Sequence, residues 1–212
     1  MSTKEIFSII VNDIHSSIIA TNDESNKPVT CVIDIMDSDE NGLYFLTAKG
    51  KRFYNRLIDN KYLSLTALKG ESTMSSLSIN IRAKVKEIGN SKIDYLFEKN
   101  PYMNDIYPSE KSKKALSVFY IYDGSGELFD LSKKPIYREN FSFSVKDKYT
   151  YQYVINDNCI SCKLCLPSCP QNCIIKTDAS YKINQNNCLH CGNCLKICQS
   201  NAIENLQIKI NN

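Results

Sequence analysis

The stretch "CISCKLCLPSCP", residues 159–170, sets four cysteines within eleven residues, and "CLHCGNCLKICQ", residues 188–199, repeats the arrangement. The offset is 29 residues throughout: Cys159, Cys162, Cys165 and Cys169 become Cys188, Cys191, Cys194 and Cys198, and Ile174 becomes Ile203. Two copies of one ligand-bearing unit are the simplest account of such a pattern. Nine of the ten cysteines fall here and Cys31 stands alone in the front part. The 212 residues are therefore expected to divide into a domain with an ordinary apolar core and a smaller module held by whatever the cysteines bind.

Three chemistries use cysteines this densely. Disulfides belong to oxidising compartments. The opening "MSTKEIFSII" lacks the basic stretch, long apolar run and cleavage site of a secretory signal, and no uncharged apolar segment approaches the roughly 18 residues that span a membrane. The expectation is a cytoplasmic protein with reduced thiols and no membrane partner. Zinc can be held by eight thiolates in two tetrahedral sites, but structural zinc usually takes two separated C-x-x-C pairs and has no use for a third cysteine at the next interval. The run C-x-x-C-x-x-C instead puts three thiolates on one tight loop, a spacing that wraps three corners of an iron–sulfur cubane and leaves the fourth cysteine for the other site.

On these residues, the segment 156–206 resembles a clostridial-type ferredoxin with two 4Fe-4S clusters. Pro170 follows Cys169 as that family requires, whereas Gln199 stands in the matching place after Cys198. The resemblance implies that Cys159, Cys162, Cys165 and Cys198 hold one cluster and that Cys188, Cys191, Cys194 and Cys169 hold the second. Cys173 corresponds to Ala202 in the repeat and reads as a small buried filler, with an extra ligand as the alternative. His190 either tunes the nearby cluster by hydrogen bonding or occupies a surface loop, and Cys31 reads as a core residue of its strand.

The chain before this module reads mainly as β-structure. Ser2 and Glu5 form a capping-box pattern ahead of Ile6, Ile9 and Ile10 at helical spacing, so a short first helix is expected, with His15 near its end. Strands are predicted at 16–21, 27–36, 41–48, 62–68 and 74–88, the last alternating Leu77, Ile79, Ile81, Ala83 and Val85 with polar neighbours. Helices are predicted at 49–60 and 91–100, irregular chain at 101–112, and two final strands at 115–124 and 125–132. Short turns between alternating strands indicate a closed or nearly closed antiparallel barrel, and no G-x-G-x-x-G fingerprint is present. Residues 133–155 read as a connector whose later part pairs beside the tail module.

In "GLYFLTAKGKRFYNRL", Thr47 ends a strand, Lys49, Lys51 and Arg52 follow around Gly50, and a helix begins. A hydroxyl, backbone N–H groups and cations gathered there suit a phosphate, although a solvated turn has the same composition. This stretch and its surroundings, residues 1 to about 132, resemble the pyridoxamine-phosphate-oxidase-like split β-barrel family. The resemblance implies a homodimer through the barrel with FMN in a cleft between subunits, Thr47, Lys51 and Arg52 at the FMN phosphate with Lys49 in the same turn, Val29 and Thr30 along the flavin ring, and Asn55 approaching from the helix. That family carries a second basic residue near the helix start, where this chain has Phe53. Its B6-oxidising members also hold substrate with a C-terminal segment containing Arg and Trp. This chain has no Trp and places the cysteine module there, which argues against vitamin B6 oxidation.

The expected architecture is thus a mainly β split barrel with small helices (1–132), the connector (133–155), and a small α+β ferredoxin-like iron–sulfur module (156–212). The expected function is electron transfer between two 4Fe-4S clusters and FMN, in an oxidoreductase with a redox partner protein or a small-molecule electron acceptor. A non-enzymatic electron carrier and a redox or flavin sensor are the alternatives. No Asp/Glu pair or Cys–His arrangement identifies a catalytic acid or base. The net charge of +3 is spread evenly: the tail from 156 has five Lys against Asp157, Asp178 and Glu204, leaving about +1 for the front. Such a distribution does not describe a nucleic-acid partner.

Overall fold

Ser2 starts helix α1 (Thr3–Ser8) with the capping box: its Oγ accepts from the Glu5 N–H, and Glu5 Oε2 accepts from the Ser2 N–H at 2.6 Å. The helix widens into a π-helical turn, Ile9–Ile14, closed by the His15 N–H donating to Ile10 C=O at 2.7 Å. Ile6, Phe7 and Ile10 lie on the inward side and are fully buried. The computed structural model describes residues 1–144, 149–178 and 180–209. They form two units: Met1–Leu128 with Phe141–Val145, and Phe129–Asn140 with Lys146–Asn212. No helix among the described residues is long and apolar enough to cross a membrane.

The first unit is a barrel. Strands β1 (Ser16–Asn22), β2 (Pro28–Asp39), β3 (Gly42–Ala48), β4 (Tyr62–Lys69), β5 (Leu77–Gly89) and β6 (Leu116–Asp130) run in the order β3-β2-β1-β4-β5-β6, and β3 pairs with β6 to close the sheet. The period-two pattern decides what faces inward. In the β4–β5 pair, Leu63, Leu65 and Ala67 sit opposite Ala83, Ile81 and Ile79, all nearly inaccessible, while Ser64 and Thr66 point out. Phe45 stacks on Phe119 at 5.5 Å and neighbours Phe53 at 6.0 Å, which ties helix α2 (Arg52–Asn60) to the barrel. Aromatic side chains of this size dominate the energy of a small core.

Two features differ from the pattern expected of the sequence. The strands predicted at 115–124 and 125–132 are one continuous strand, β6. At the expected boundary, Gly124 and Gly126 leave room for neighbouring rings: a Cβ on Gly124 would fall 2.6 Å from the Phe143 ring, and one on Gly126 2.5 Å from Phe141. The segment 101–112, expected to be irregular, contains the single-turn helices α4 (Met103–Ile106) and α5 (Glu110–Lys113) after α3 (Ile93–Lys99). Strand β2 meets β3 only from Ile35 onward, through a bulge between Ile35 and Asp37. Its earlier half, Pro28–Asp34, pairs with β1 alone. This gap is the split in the barrel.

The stretch expected as a connector contains β7 (Tyr137–Phe143), which extends the large sheet, and β8 (Tyr149–Ile155), which pairs with the final strand as the sequence suggested. The second unit also holds α6 (Cys165–Ser168), the hairpin of β9 (Ile174–Lys176) and β10 (Tyr181–Ile183), α7 (Asn193–Ile197), and β11 (Ile203–Lys209), the partner of β8. Its core consists of Cys173, Ile174, Tyr181, Ile183, Cys188 and Ile203. So few apolar side chains cannot stabilise a module of this size unaided, and the remaining stability has to come from what the cysteines bind.

Candidate metal centres and a candidate phosphate cradle

The repeat seen in sequence is a repeat in hydrogen bonds. The N–H groups of Cys159 and Cys188 donate to Asn156 and Gln185 C=O, each at 3.2 Å. Those of Cys169 and Cys198 donate to Leu166 and Leu195 C=O at 3.2 and 3.3 Å. Three pairs of residues take matching left-handed conformations: Ser161 and His190 (φ 57° and 56°), Lys163 and Gly192 (65° and 75°), and Asn172 and Asn201 (49° and 51°). These turns curl each C-x-x-C-x-x-C loop so that its thiols converge on one side.

Two concavities result. The first is lined by Cys159, Cys162, Cys165 and Cys198 with Tyr181 among its apolar walls. The second is lined by Cys169, Cys188, Cys191 and Cys194, with Cys173 and Tyr153 beside them. The fourth cysteine of each run has thus crossed to the other site. Cys162 and Cys191 are exposed, whereas Cys188 is buried.

Local donors set the charge on these sulfurs. Burial pushes the Cys198 thiol up, but the Ser200 hydroxyl and the N–H groups of Ala202, Ser200 and Ile203 outweigh it and hold its pKa below the ordinary thiol value. Cys188 is also held low, first by a hydrogen bond from Cys173, against burial, with help from the His190 N–H and the Arg138 charge. His190 lies in the loop but is half-buried there and not on the surface, its backbone N–H 3.4 Å from Cys188 Sγ and its ring 5.8 Å from Tyr153.

Lys49, Lys51 and Arg52 are exposed at the turn from β3 into α2, whose N-cap, Lys51, makes no side-chain cap. Asn55 is exposed on the same helix, Thr30 is exposed on β2 and Val29 is half-buried. Thr47 shares the face of β3 occupied by Leu43 and Phe45, 2% exposed, and its Oγ1 has no hydrogen-bond partner among the described residues. Burial pushes the Cys31 thiol up, against the charges of Arg56 and Lys51 on the side of α2. Cys31 is only half-buried, not a full core residue, because β2 has no neighbour on that side. Arg56 was not evident from sequence. It donates from Nε to Thr21 Oγ1 at 2.9 Å and stacks over Phe53, one turn beyond Arg52.

Residues 158–202 match the family described as the 4Fe-4S dicluster domain. A ferredoxin of Acetoanaerobium sticklandii is 56% identical over 32 residues, 15% of this chain and 57% of that protein; the chain thus spans little more than half the length of the curated relative it matches. Among solved structures, a NimC/NimA family protein of Clostridium acetobutylicum superposes with a TM-score of 0.56 at 17% identity, over 67% of this chain and 92% of that one. A second protein of that organism, related to general stress protein 26 of B. subtilis and of the pyridoxinephosphate oxidase family, gives 0.51 at 13% identity over 63% and 89%. At these identities the likeness is one of fold, and it agrees with the split barrel. The dicluster match supports a redox role.

The thiols fit a pair of cubanes better than a pair of zinc ions. Structural zinc usually takes two separated C-x-x-C pairs, whereas each run here carries a third cysteine at the next interval. A cubane instead holds its thiolates at four separated corners, and here they are spread around two concavities whose walls are otherwise largely apolar. The backbone N–H groups aimed at Cys169, Cys188 and Cys198 suit sulfurs that carry negative charge.

Proposed function

We propose that the chain is an FMN- and iron–sulfur-dependent oxidoreductase, in which two 4Fe-4S clusters in the second unit exchange electrons with a flavin held by the barrel. The observation that carries the reading is the crossed cysteine quartet at each concavity. When bound, the clusters supply one-electron transfer and the flavin converts between single electrons and pairs. The protein's part is positional. Cys159, Cys162, Cys165 and Cys198 hold one cluster, and Cys169, Cys188, Cys191 and Cys194 the other. Lys49, Lys51 and Arg52, with the uncapped N–H groups of α2, receive the FMN phosphate, Thr47 and Asn55 add polar contacts, and Val29 and Thr30 border the ring.

A homodimer through the barrel completes the flavin cleft in this reading. Its support is the outer face of the sheet, where exposed Ile18 lies directly across from exposed Val32, and Leu68 is exposed on β4. Electrons enter or leave through a redox partner protein or a small acceptor.

The test is the composition of protein purified without oxygen: iron, acid-labile sulfide, zinc and released flavin per chain, with the mass in solution from light scattering. A dimer carrying about eight iron, eight sulfide and one FMN per chain is expected from the two-cluster arrangement. Zinc without sulfide or flavin would overturn the reading.

A further inference from the structure

The 29-residue repeat makes each cysteine site a control for the other. Four residues after the crossing cysteine, the first half carries Cys173 and the second Ala202, both buried, and both donate their backbone N–H to that cysteine's sulfur, at 3.4 Å to Cys169 and 3.3 Å to Cys198. Cys173 alone adds a thiol. Its Sγ lies 3.3 Å from Cys169 Sγ, close enough for either thiol to donate to the other, and it lines the second concavity together with Cys188.

We propose that Cys173 is a hydrogen-bond donor to the ligand sulfurs of the second site, not itself a ligand, and that it makes the cluster there the more easily reduced of the two. The inference rests on the two-cluster reading above. Reduction places additional negative charge on a cluster and its cysteine sulfurs, so a donor to those sulfurs stabilises the reduced state more than the oxidised one and raises the potential. A thiol is a weak donor in water, but the bond here is buried, where hydrogen bonds act through a lower dielectric.

The other differences between the sites are more nearly balanced. Each loop leaves one cysteine exposed, Cys162 or Cys191. Each site has a cation nearby, Lys163 along the first concavity and Arg138 beside Cys188. Ser200 Oγ approaches Cys198 in the first site at the longer distance of 3.7 Å. Each site thus has one side-chain donor, Ser200 at Cys198 and Cys173 at Cys169, and of the two Cys173 is the buried one in the closer contact.

The experiment is a potentiometric titration, followed by electron paramagnetic resonance, of the full chain purified without oxygen. The wild-type protein should show two separate midpoints. Cys173→Ala should lower the upper midpoint alone while iron and sulfide stay at the wild-type level. Cys173→Ser, which restores a donor, should recover much of the difference, and Ala202→Cys should raise the lower midpoint. A Cys173→Ala protein with both clusters and unchanged potentials would overturn the inference, as would two wild-type clusters that titrate together. Loss of half the iron in Cys173→Ala would make this residue a ligand and overturn it as well. A wild-type chain free of iron and sulfide strikes instead at the cluster reading beneath it.

Discussion

The Tyr153 hydroxyl stands 3.2 Å from where a Cβ on Gly192 would lie. Gly192 also has φ of 75°, in the left-handed region, and initiates α7. Its counterpart in the other half, Lys163, takes nearly the same φ, and the strand pairings put Tyr181, opposite Lys176, where Tyr153 stands opposite Asn205. The left-handed turn and the facing tyrosine are features of both loops, and the first carries a lysine where the second carries glycine. Gly192→Ala is expected to destabilise the second unit by about 1–2 kcal/mol from the left-handed conformation alone. Displacement of Tyr153 adds to this cost. A lowered midpoint of thermal unfolding and faster bleaching of the visible absorbance of the purified protein are the expected readouts, and a variant as stable as wild type would show that the turn relaxes freely.

Cys198 belongs to the second cysteine run by sequence and to the first concavity by position. Cys198→Ala should therefore behave like Cys159→Ala and unlike Cys188→Ala. In the first two variants, about half of the iron should be lost and the surviving resonance should be that of the second site. Were each run to hold its own cluster, Cys198→Ala would instead reproduce the spectrum of Cys188→Ala.

The cysteine module was legible in the sequence because its ligands are spaced by covalent geometry, so a fixed offset in the chain becomes a fixed offset in space. The barrel strands were legible for a similar reason, since alternation such as Leu63, Leu65 and Ala67 encodes a buried face. What escaped was set by tertiary neighbours. Gly124 and Gly126 have turn composition, yet they serve the approach of Phe141 and Phe143 in a continuous strand. The π-helical turn at Ile9–Ile14 has the same apolar spacing as an α-helix end. Arg56 carries no local signal, because its hydrogen-bond partner Thr21 is 35 residues away. The helical interval from Arg52 to Arg56 was the one available clue.

At the barrel, Lys51→Ala removes a cation at the N-cap of α2 without touching the core, since Lys51 is exposed. The expected outcome is weaker retention of flavin, by roughly tenfold for a charge-assisted contact of about 1.5 kcal/mol, with iron and sulfide unchanged. Flavin release measured by dialysis against the wild-type protein checks it. Equal retention would remove Lys51 from the phosphate site.

Thr47 offers a sharper test, because its hydroxyl has a cost with or without a ligand. Oγ1 is out of solvent and has no partner among the described residues. A buried hydroxyl left unsatisfied costs on the order of 1–3 kcal/mol. Valine has nearly the same shape and no hydroxyl, so Thr47→Val should stabilise the flavin-free protein by about 1 kcal/mol. If the hydroxyl finds its partner in a bound phosphate, the same change should weaken flavin retention. The two effects have opposite signs, which separates a binding role from a packing role: higher thermal stability without flavin together with faster flavin release is the expected result. Higher stability with flavin retained as in wild type would leave Thr47 a buried strand residue and confine the phosphate contacts to the turn and the start of α2.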